Sequence, residues 1–268
     1  MVIALSAVVT VFLLFSLKFC WWKPTVSYRY PRILMYHMVS ELQPGQKMRG
    51  LRVSPQAFEK QLSWLSKKGF HFATMSDVAR GAALPEKTVV LTFDDGFEDN
   101  YTKAMPIMQK YGARGTLYLV IDRHHRDWSV SKKAHHDSGE LAREPKLSDQ
   151  QVREMVESGL FELGGHTLTH CNLNSCSEEN KRREIEECRI RLQSEFNTPV
   201  NSFAYPFGIY SSADIPLVRD AGFTTATTTA EGIDLTPDNF QLKRIKVSGK
   251  DNFLAFTTRI RIGFRGYI

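Results

Sequence analysis

The chain contains 268 residues, and 42% of them are hydrophobic. This length and composition are typical of one globular domain with a sizeable core and a short terminal segment. The formal net charge of +6 fits an anionic polymer or a membrane surface, although an ordinary basic surface is the simpler explanation. No nucleic-acid motif accompanies the charge, which argues against a nucleic-acid-binding protein. The four cysteines are unevenly spaced and do not indicate a disulfide framework.

The first element in chain order is an apolar segment. Residues 2–17 are almost wholly apolar, and the apolar character resumes after Lys18 and ends at Trp21 and Trp22. A transmembrane helix needs ~20 apolar residues, and no signal-peptidase site follows the run. We therefore predict an uncleaved, single-pass membrane anchor at residues 1–23, with a cleavable signal peptide as the alternative. Basic residues follow the span, so the charge rule predicts that the domain beyond it is cytoplasmic.

After a linker at residues 24–30, strand-like and helix-like segments alternate. Such units indicate a parallel sheet, and with about seven of them we predict an α/β fold whose strands close into a distorted (β/α) barrel. In such barrels the functional residues lie at the carboxyl ends of the strands. The predicted strands are 33–36, 89–93, 115–121, 161–165, 200–205, 224–228 and 242–247. The predicted helices are 55–68, 101–111, 148–159, 178–196 and 214–221.

Two groups of metal-ligating residues stand at ends of these strands. Asp94 and Asp95 follow one apolar run, and His166 follows another, with His170 four residues later. One helical turn would place both histidines on one face. Two neutral imidazoles and one carboxylate suit zinc or a similar divalent ion, and the second carboxylate can act as a base beside it. Each motif alone is more typical of a turn or of two unrelated histidines, but their joint occurrence at strand ends favours a metal site.

These motifs resemble those of the polysaccharide deacetylase family (carbohydrate esterase family 4). Its first motif, Thr-Phe-Asp-Asp-Gly, is matched at 92–96, and its second, His-x-x-Ser/Thr-His, at 166–170. Its third, Arg-x-Pro-Tyr-Gly, reads Ala-Tyr-Pro-Phe-Gly at 204–208. Met-Tyr-His at 35–37 and the form of 203–208 resemble the poly-N-acetylglucosamine N-deacetylase branch. The resemblance covers 31–250, which we predict to be the catalytic domain.

The resemblance implies a role for each motif residue. Asp94 would be the general base, and Asp95, His166 and His170 would hold one divalent metal ion. Zinc is the expected metal, with cobalt, nickel and iron(II) as alternatives.

The third motif would supply the remaining contacts to the substrate. The backbone N–H of Phe207 would stabilise the oxyanion of the tetrahedral intermediate, with Tyr205 and Pro206 as substrate-binding residues. The family's motif arginine, which orients the base, is replaced by Ala204.

The general acid is predicted because a histidine that many family members have is missing here. Many family members supply a late histidine, but none follows His170 in this chain. We therefore predict that His37, at the end of an apolar strand, protonates the leaving amine. The alternative is a buried histidine whose ring is satisfied by a backbone carbonyl.

Two further segments lie outside these motifs. Residues 122–146 form an irregular stretch that should overhang the site, and Trp128 within it is predicted to stack on a sugar ring. A solvated loop is the alternative. Residues 251–268 form a basic, aromatic C-terminal tail, which could lie against a bilayer or pack on the barrel.

Together the residues predict metal-assisted hydrolysis, and the resemblance implies removal of acetyl groups from N-acetylated sugars of a polysaccharide or glycolipid. The expected partners are an N-acetylated glycan or lipid-linked sugar and a membrane. The family more often acts on extracytoplasmic polymer, which conflicts with the charge rule. The alternatives are a catalytically impaired, membrane-tethered carbohydrate-binding protein and a deacylase of O-acetyl or N-formyl sugars. The sequence leaves the exact glycan and the oligomeric state open.

Overall fold

The computed structural model describes residues 2–80, 84–132 and 138–267. Within them, eight parallel strands form one sheet, and a pairing between the first and third strands closes it into a barrel of seven. The strands are β1 (Arg32–Tyr36), β2 (His71–Ala73), β3 (Thr88–Asp95), β4 (Gly115–Leu119), β5 (Phe161–Gly165), β6 (Val200–Ala204), β7 (Thr225–Glu231) and β8 (Leu242–Lys246). Around the barrel the order is β1, β8, β7, β6, β5, β4, β3, with short β2 beside the start of β3. The predicted parallel α/β barrel is confirmed.

The helices lie outside the strands. They are α1 (Val2–Phe19), α2 (Pro55–Lys67), α3 (Met75–Ala79), α4 (Met105–Lys110), α5 (Glu140–Arg143), α6 (Asp149–Glu157), α7 (Glu178–Phe196), α8 (Asp214–Asp220) and α9 (Phe253–Ile262). The predicted starts are explained by serine caps, because Ser54 and Ser148 each accept a hydrogen bond from a backbone N–H of the first turn. The helix predicted over 101–111 is divided: a π-helical turn precedes α4, where Pro106 lacks the N–H that a regular helix needs.

Side chains that alternate along the strands point into and out of the barrel. An apolar cluster that includes Ile33, Val90, Tyr118 and Leu242 fills the inside. A larger cluster between the barrel and the helices includes residues of the opposite parity, such as Phe93. Asp94 therefore shares the inward face of β3, and the outward face is sealed by helices.

The C-terminal tail packs on the barrel. Within α9, Phe256 is buried in the main core. The carbonyl oxygen of Ile260 accepts a 3.0 Å hydrogen bond from Nε of the buried Arg32. Arg261 donates to the carbonyl oxygens of Cys20 and Lys23. These contacts connect the end of the chain to its beginning.

The prediction of a membrane anchor at residues 1–23 is wrong. The helix α1 has 18 residues and ends at Phe19, and Cys20 turns the chain with a left-handed φ of 44° before Trp21 and Trp22. At 1.5 Å per residue such a helix is about 27 Å long, less than the ~30 Å of a bilayer core. In the described part of the chain, no helix is long and apolar enough to cross a membrane. The predicted membrane localisation depended on this anchor and is therefore wrong as well.

Candidate active site

Strand ends bring polar side chains together at one edge of the barrel. β3 ends with Asp94 and Asp95, β1 is followed by His37, and β5 is followed by His166. Because all strands are parallel, their carboxyl ends meet at the same edge. These four side chains line one cleft of about 710 Å³.

Three side chains in the cleft form a candidate metal centre. Oδ1 of Asp95 lies 3.4 Å from Nε2 of His166 and 3.1 Å from Nε2 of His170. All three residues are buried. Ligand atoms at 2.0–2.1 Å from a tetrahedral zinc ion are about 3.3 Å apart, so this spacing fits a zinc-sized cation. Within the described residues, Oδ1 of Asp95 is buried without a hydrogen-bond partner, which is the state of an atom that a cation would satisfy.

The backbone is strained where these ligands are placed. Asp95 has a φ of 80°, Thr167 of 66° and His170 of 56°, all in the left-handed region that non-glycine residues rarely adopt. The segment between the two histidines is a loop rather than the helical turn that we expected. Such strain persists where the surrounding structure imposes it, often at functional sites. Asp95 lines the same cleft as Asp94 although the two residues are adjacent on β3, and the His170 ring lies 4.7 Å from the His166 ring between centroids.

Neighbouring groups orient both imidazoles. Nδ1 of His166 is 2.7 Å from the carbonyl oxygen of Ala204, so Nδ1 carries the proton and Nε2 is free to bind a cation. The His170 ring stacks on Trp128 at 4.8 Å between centroids and meets the edge of Phe207 at 4.4 Å. Burial lowers the pKa of His170, which favours the neutral form that ligates metals.

The sequence analysis missed Arg244, which pairs with Asp94. Its Nη1 and Nη2 donate to the two carboxylate oxygens of Asp94, each at 2.7 Å. The Arg244 side chain is 0% exposed and the Asp94 side chain 4%. Burial raises the pKa of Asp94, but the Arg244 guanidinium more than offsets this, so the pKa lies below its ordinary value. An arginine therefore orients Asp94, although Ala204 replaces the one that the third motif would supply.

One signal could have identified this arginine. Arg244 lies between Leu242 and Lys246 on β8, so strand alternation places it on the inward face with Leu242. An arginine facing a barrel interior needs a buried partner, and Asp94 was the available carboxylate.

His37 stands beside Asp94. Tyr36 and Phe93 are paired in the β1–β3 ladder, so the residues that follow them are neighbours. The His37 side chain is half-buried, and burial lowers its pKa, while the charges of Asp95 and Asp94 act in the opposite direction. Its ring forms no hydrogen bond with the described residues, so the alternative of a ring satisfied by a backbone carbonyl is not observed.

The third motif forms a turn at the rim of the cleft. Phe207 has a φ of 59° and Gly208 of 68°. A Cβ at Gly208 would lie 2.0 Å from Oγ1 of Thr229, so only glycine fits there. The side chain of Phe207 lines the cleft.

Tyr205 and Pro206, predicted to bind substrate, are buried and are not among the residues that line the cleft. The Tyr205 ring stacks on Tyr210 at 4.2 Å between centroids. The structure therefore places this ring in the outer core and does not bring it to the cleft.

Trp128 lines the cleft, but only 4% of it is exposed. Its ring contacts His170, and the Lys146 ammonium lies 5.1 Å from its centroid. The contact with His170 leaves little of the ring free to stack on a sugar. Of the irregular stretch predicted at 122–146, residues 133–137 lie outside the described residues, and Glu140–Arg143 forms the short helix α5.

Comparison with known proteins decides the family. The family model described as polysaccharide deacetylase matches residues 81–226, more than half of the chain. The chain belongs to the polysaccharide deacetylase family. The motif resemblance is therefore confirmed.

The matched relatives have low sequence identity to this chain, but the matches cover most of its length. A Bacillus subtilis protein provisionally named polysaccharide deacetylase YxkH is 27% identical over 221 residues, which cover 81% of this chain and 71% of that protein. The poly-β-1,6-N-acetyl-D-glucosamine N-deacetylase of Staphylococcus aureus is 23% identical over 216 residues, covering 76% and 70% of the two chains. The structure of the Streptococcus pyogenes deacetylase PplD in complex with acetate superposes with a TM-score of 0.70 at 26% identity and covers 84% of this chain and 94% of that one.

The matched segment of this polysaccharide deacetylase contains both aspartates, both histidines and the third motif. His37 and Arg244 lie outside residues 81–226. Barrel closure brings them to the site, because β1 pairs with β3 on one side and with β8 on the other.

Proposed function

We propose that this polysaccharide deacetylase is a metal-dependent hydrolase that removes acetyl groups from N-acetylated sugars of a polysaccharide or glycolipid. The observation that carries the proposal is the buried Asp94–Arg244 pair beside the three converging ligand atoms of Asp95, His166 and His170. The name of the Staphylococcus aureus relative supports the choice of an N-acetyl group, and the acetate in the Streptococcus pyogenes structure supports an acetyl group in general.

Asp95, His166 and His170 would hold one divalent ion, and we propose zinc, with cobalt, nickel and iron(II) as alternatives. Such an ion polarises the acetamide carbonyl and makes water more acidic when it is bound. The chain contributes the shape and dryness of the site, since all three side chains are at most 4% exposed.

Asp94 is the proposed general base. Both of its oxygens already accept a hydrogen bond from Arg244, but each carboxylate oxygen can accept a second one. The pair keeps Asp94 ionised and holds its plane fixed, so that a free lone pair can take the proton of the attacking water.

His37 is the proposed general acid, and it would give its proton to the departing amine. Its position next to Asp94 across the β1–β3 ladder places acid and base on neighbouring strands. The backbone N–H of Phe207 would stabilise the oxyanion, and the contacts of Trp128 and Phe207 with His170 would hold that imidazole in place.

A carbohydrate-binding protein without catalysis was suggested by the missing motif arginine and the missing late histidine. Arg244 and His37 occupy positions suited to both roles, and this favours an enzyme. Tyr205 and Pro206 would act by shaping the turn that presents Phe207 rather than by contacting sugar with their side chains.

The test is acetate release from N-acetylglucosamine oligomers by protein stripped of metal and reloaded with zinc, with the metal content measured in parallel. We expect release that depends on the ion. A metal-loaded protein that binds the oligomers without releasing acetate would support the carbohydrate-binding protein. Faster release of acetate from O-acetylated than from N-acetylated sugars would support the alternative of an O-acetyl deacylase.

A further inference from the structure

The two histidines of the candidate metal centre are held in different ways. Nδ1 of His166 lies 2.7 Å from the carbonyl oxygen of Ala204, so a hydrogen bond fixes its ring. Nδ1 of His170 is buried and has no hydrogen-bond partner within the described residues. A histidine that ligates a metal usually donates this second ring N–H to a neighbour, which fixes the ring. The position of His170 therefore depends on its ring contacts and on its backbone.

The backbone that leads to His170 needs contacts from outside the loop. Thr167 and His170 both have left-handed φ angles, which cost conformational free energy in residues other than glycine. Such angles persist only where the surrounding structure imposes them. On one side, the carbonyl oxygens of Thr167 and Leu168 accept hydrogen bonds from the backbone N–H groups of Ile121 and Asp122, at 3.4 and 2.8 Å. These bonds hold the first half of the loop.

A carboxylate on α7 holds the second half of the loop, at the residue before His170. Oε2 of Glu184 accepts a 2.9 Å hydrogen bond from the backbone N–H of Thr169, and Oε1 accepts a 2.7 Å hydrogen bond from Oγ1 of the same residue. Two bonds from one carboxylate fix both the position and the orientation of that residue. The Cys188 thiol, one turn further along α7, lies near the backbone of His166. One face of α7 therefore contacts both ends of the loop.

Helix α7 is a firm support for this carboxylate. Ile185, Cys188 and Leu192 of α7 are fully buried and belong to the main core. A helix packed in this way cannot shift without disturbing the core around it, because protein interiors are close-packed. Glu184 itself is half-buried beside Ile185. It is therefore a fixed point to which the loop is bound, rather than a side chain that follows the loop.

We propose that Glu184 is a positioning residue that binds Thr169, holds His170 in place for the ion and so raises the metal affinity of the site. This inference rests on the proposed metal-dependent function and adds a residue to it. Among the described residues, Glu184 is neither one of the three candidate ligands nor part of the cleft lining, so it acts through the loop. Without its two hydrogen bonds the loop would relax from its left-handed angles and move the His170 imidazole away from Asp95.

The experiment measures the dissociation constant of zinc for the full-length protein by competition with a chromophoric chelator. Glu184→Ala removes both hydrogen bonds and should raise the dissociation constant about 10- to 100-fold, as expected for loss of a group that orients a ligand. Glu184→Gln keeps the shape of the side chain. Its carbonyl oxygen can accept from the N–H of Thr169 and its amide can donate to Oγ1, so the dissociation constant should stay within about threefold of the wild-type value.

Two further variants complete the design. Thr169→Val removes only the hydroxyl bond to Glu184 and should raise the zinc dissociation constant about three- to tenfold, which keeps the test available if Glu184→Ala does not fold. Glu154→Ala is the matched control for a loss of stability. Glu154 is also a half-buried helical carboxylate that accepts two hydrogen bonds, from the Tyr101 hydroxyl and the Gln150 amide, but it lies on α6 and not at the cleft. It should lower Tm and leave the dissociation constant unchanged.

The possible failures are distinguishable. A wild-type protein that binds no zinc would overturn the proposed metal-dependent function itself. Tight zinc binding by wild type that neither Glu184→Ala nor Thr169→Val weakens would leave the metal centre standing and overturn the role of Glu184. A Glu184→Gln protein as weak as Glu184→Ala would also overturn it, because the charge rather than the hydrogen bonds would then be responsible. Equal weakening by Glu154→Ala would do the same, since general destabilisation would explain the loss.

Discussion

Replacement of Arg244 by Met is the most direct test of the site. The change removes both hydrogen bonds to Asp94 and those to Oγ1 of Thr92 at 3.0 Å and to the carbonyl oxygen of Thr228 at 2.9 Å. The Asp94 carboxylate is then buried without a partner. Breaking a buried ion pair in this way costs about 3–5 kcal/mol of unfolding free energy, or roughly 10 °C in Tm for a chain of this size.

The pH dependence gives the sharper readout. Because Arg244 lowers the pKa of Asp94, its loss should raise that pKa and move the acidic limb of the kcat/KM profile to higher pH. Loss of the fixed carboxylate plane should also lower kcat/KM by about 100-fold. A lowered pKa stabilises the folded state above the unfolded value of 3.8 and stops doing so as the pH falls through the folded pKa. The stability gap between wild type and variant should thus be full at pH 7 and shrink below about pH 4.

Arg32→Met is the matched control. Arg32 is also fully buried, but it bonds to backbone carbonyls at the start of β1, away from the cleft. The Arg32→Met substitution should lower Tm without moving the acidic limb of the kcat/KM profile. An Arg244→Met protein with a wild-type pH profile and wild-type kcat/KM would refute the idea that this arginine holds the base.

Three further outcomes are expected. His37→Asn should retain bound metal, measured by elemental analysis, but lose acetate release by about 100-fold or more; near-wild-type turnover would remove His37 from the mechanism. His170→Ala should lose the metal, whereas Cys171→Ser, a change at the next residue and outside the ligand cluster, should keep it; equal metal contents would contradict the assignment. Gly164→Ala should destabilise the fold by about 1–3 kcal/mol in denaturant unfolding, because its Cβ would lie 2.4 Å from a buried tyrosine ring, while Gly50→Ala meets nothing closer than 3.7 Å and serves as the control.

Much of the fold could be predicted because each strand is a short apolar run with a polar residue at its end. The segments around Asp94 and His166 show this pattern, and β5 was predicted with its observed bounds. Local signals also indicated where helices begin; Ser148, for example, is the N-cap of α6. These features depend on residues close together in the sequence, so a single chain reveals them.

The predictions that failed depended on features that local patterns do not carry. Length and apolarity favoured a membrane anchor, but α1 ends at Phe19, before the two tryptophans that were counted as part of the span. The position of His170 depends on left-handed backbone angles at Thr167 and His170. Neither residue is of a type that indicates such angles from the sequence. The substrate-binding role of Tyr205 stays a prediction from its place in the motif; the structure adds that the ring faces outward and stacks on Tyr210.

Arg244 shows why motif spacing and site geometry can diverge. It lies 150 residues after Asp94 in the chain, yet the closed barrel separates their strands only by β1. Ala204, where the third motif would place its arginine, is fully buried on the inward face. Two guanidinium groups in that interior would repel each other and would compete for one carboxylate. The barrel therefore needs one cation that reaches Asp94, and either strand can supply it, so the loss of an arginine at 204 is compatible with an intact base.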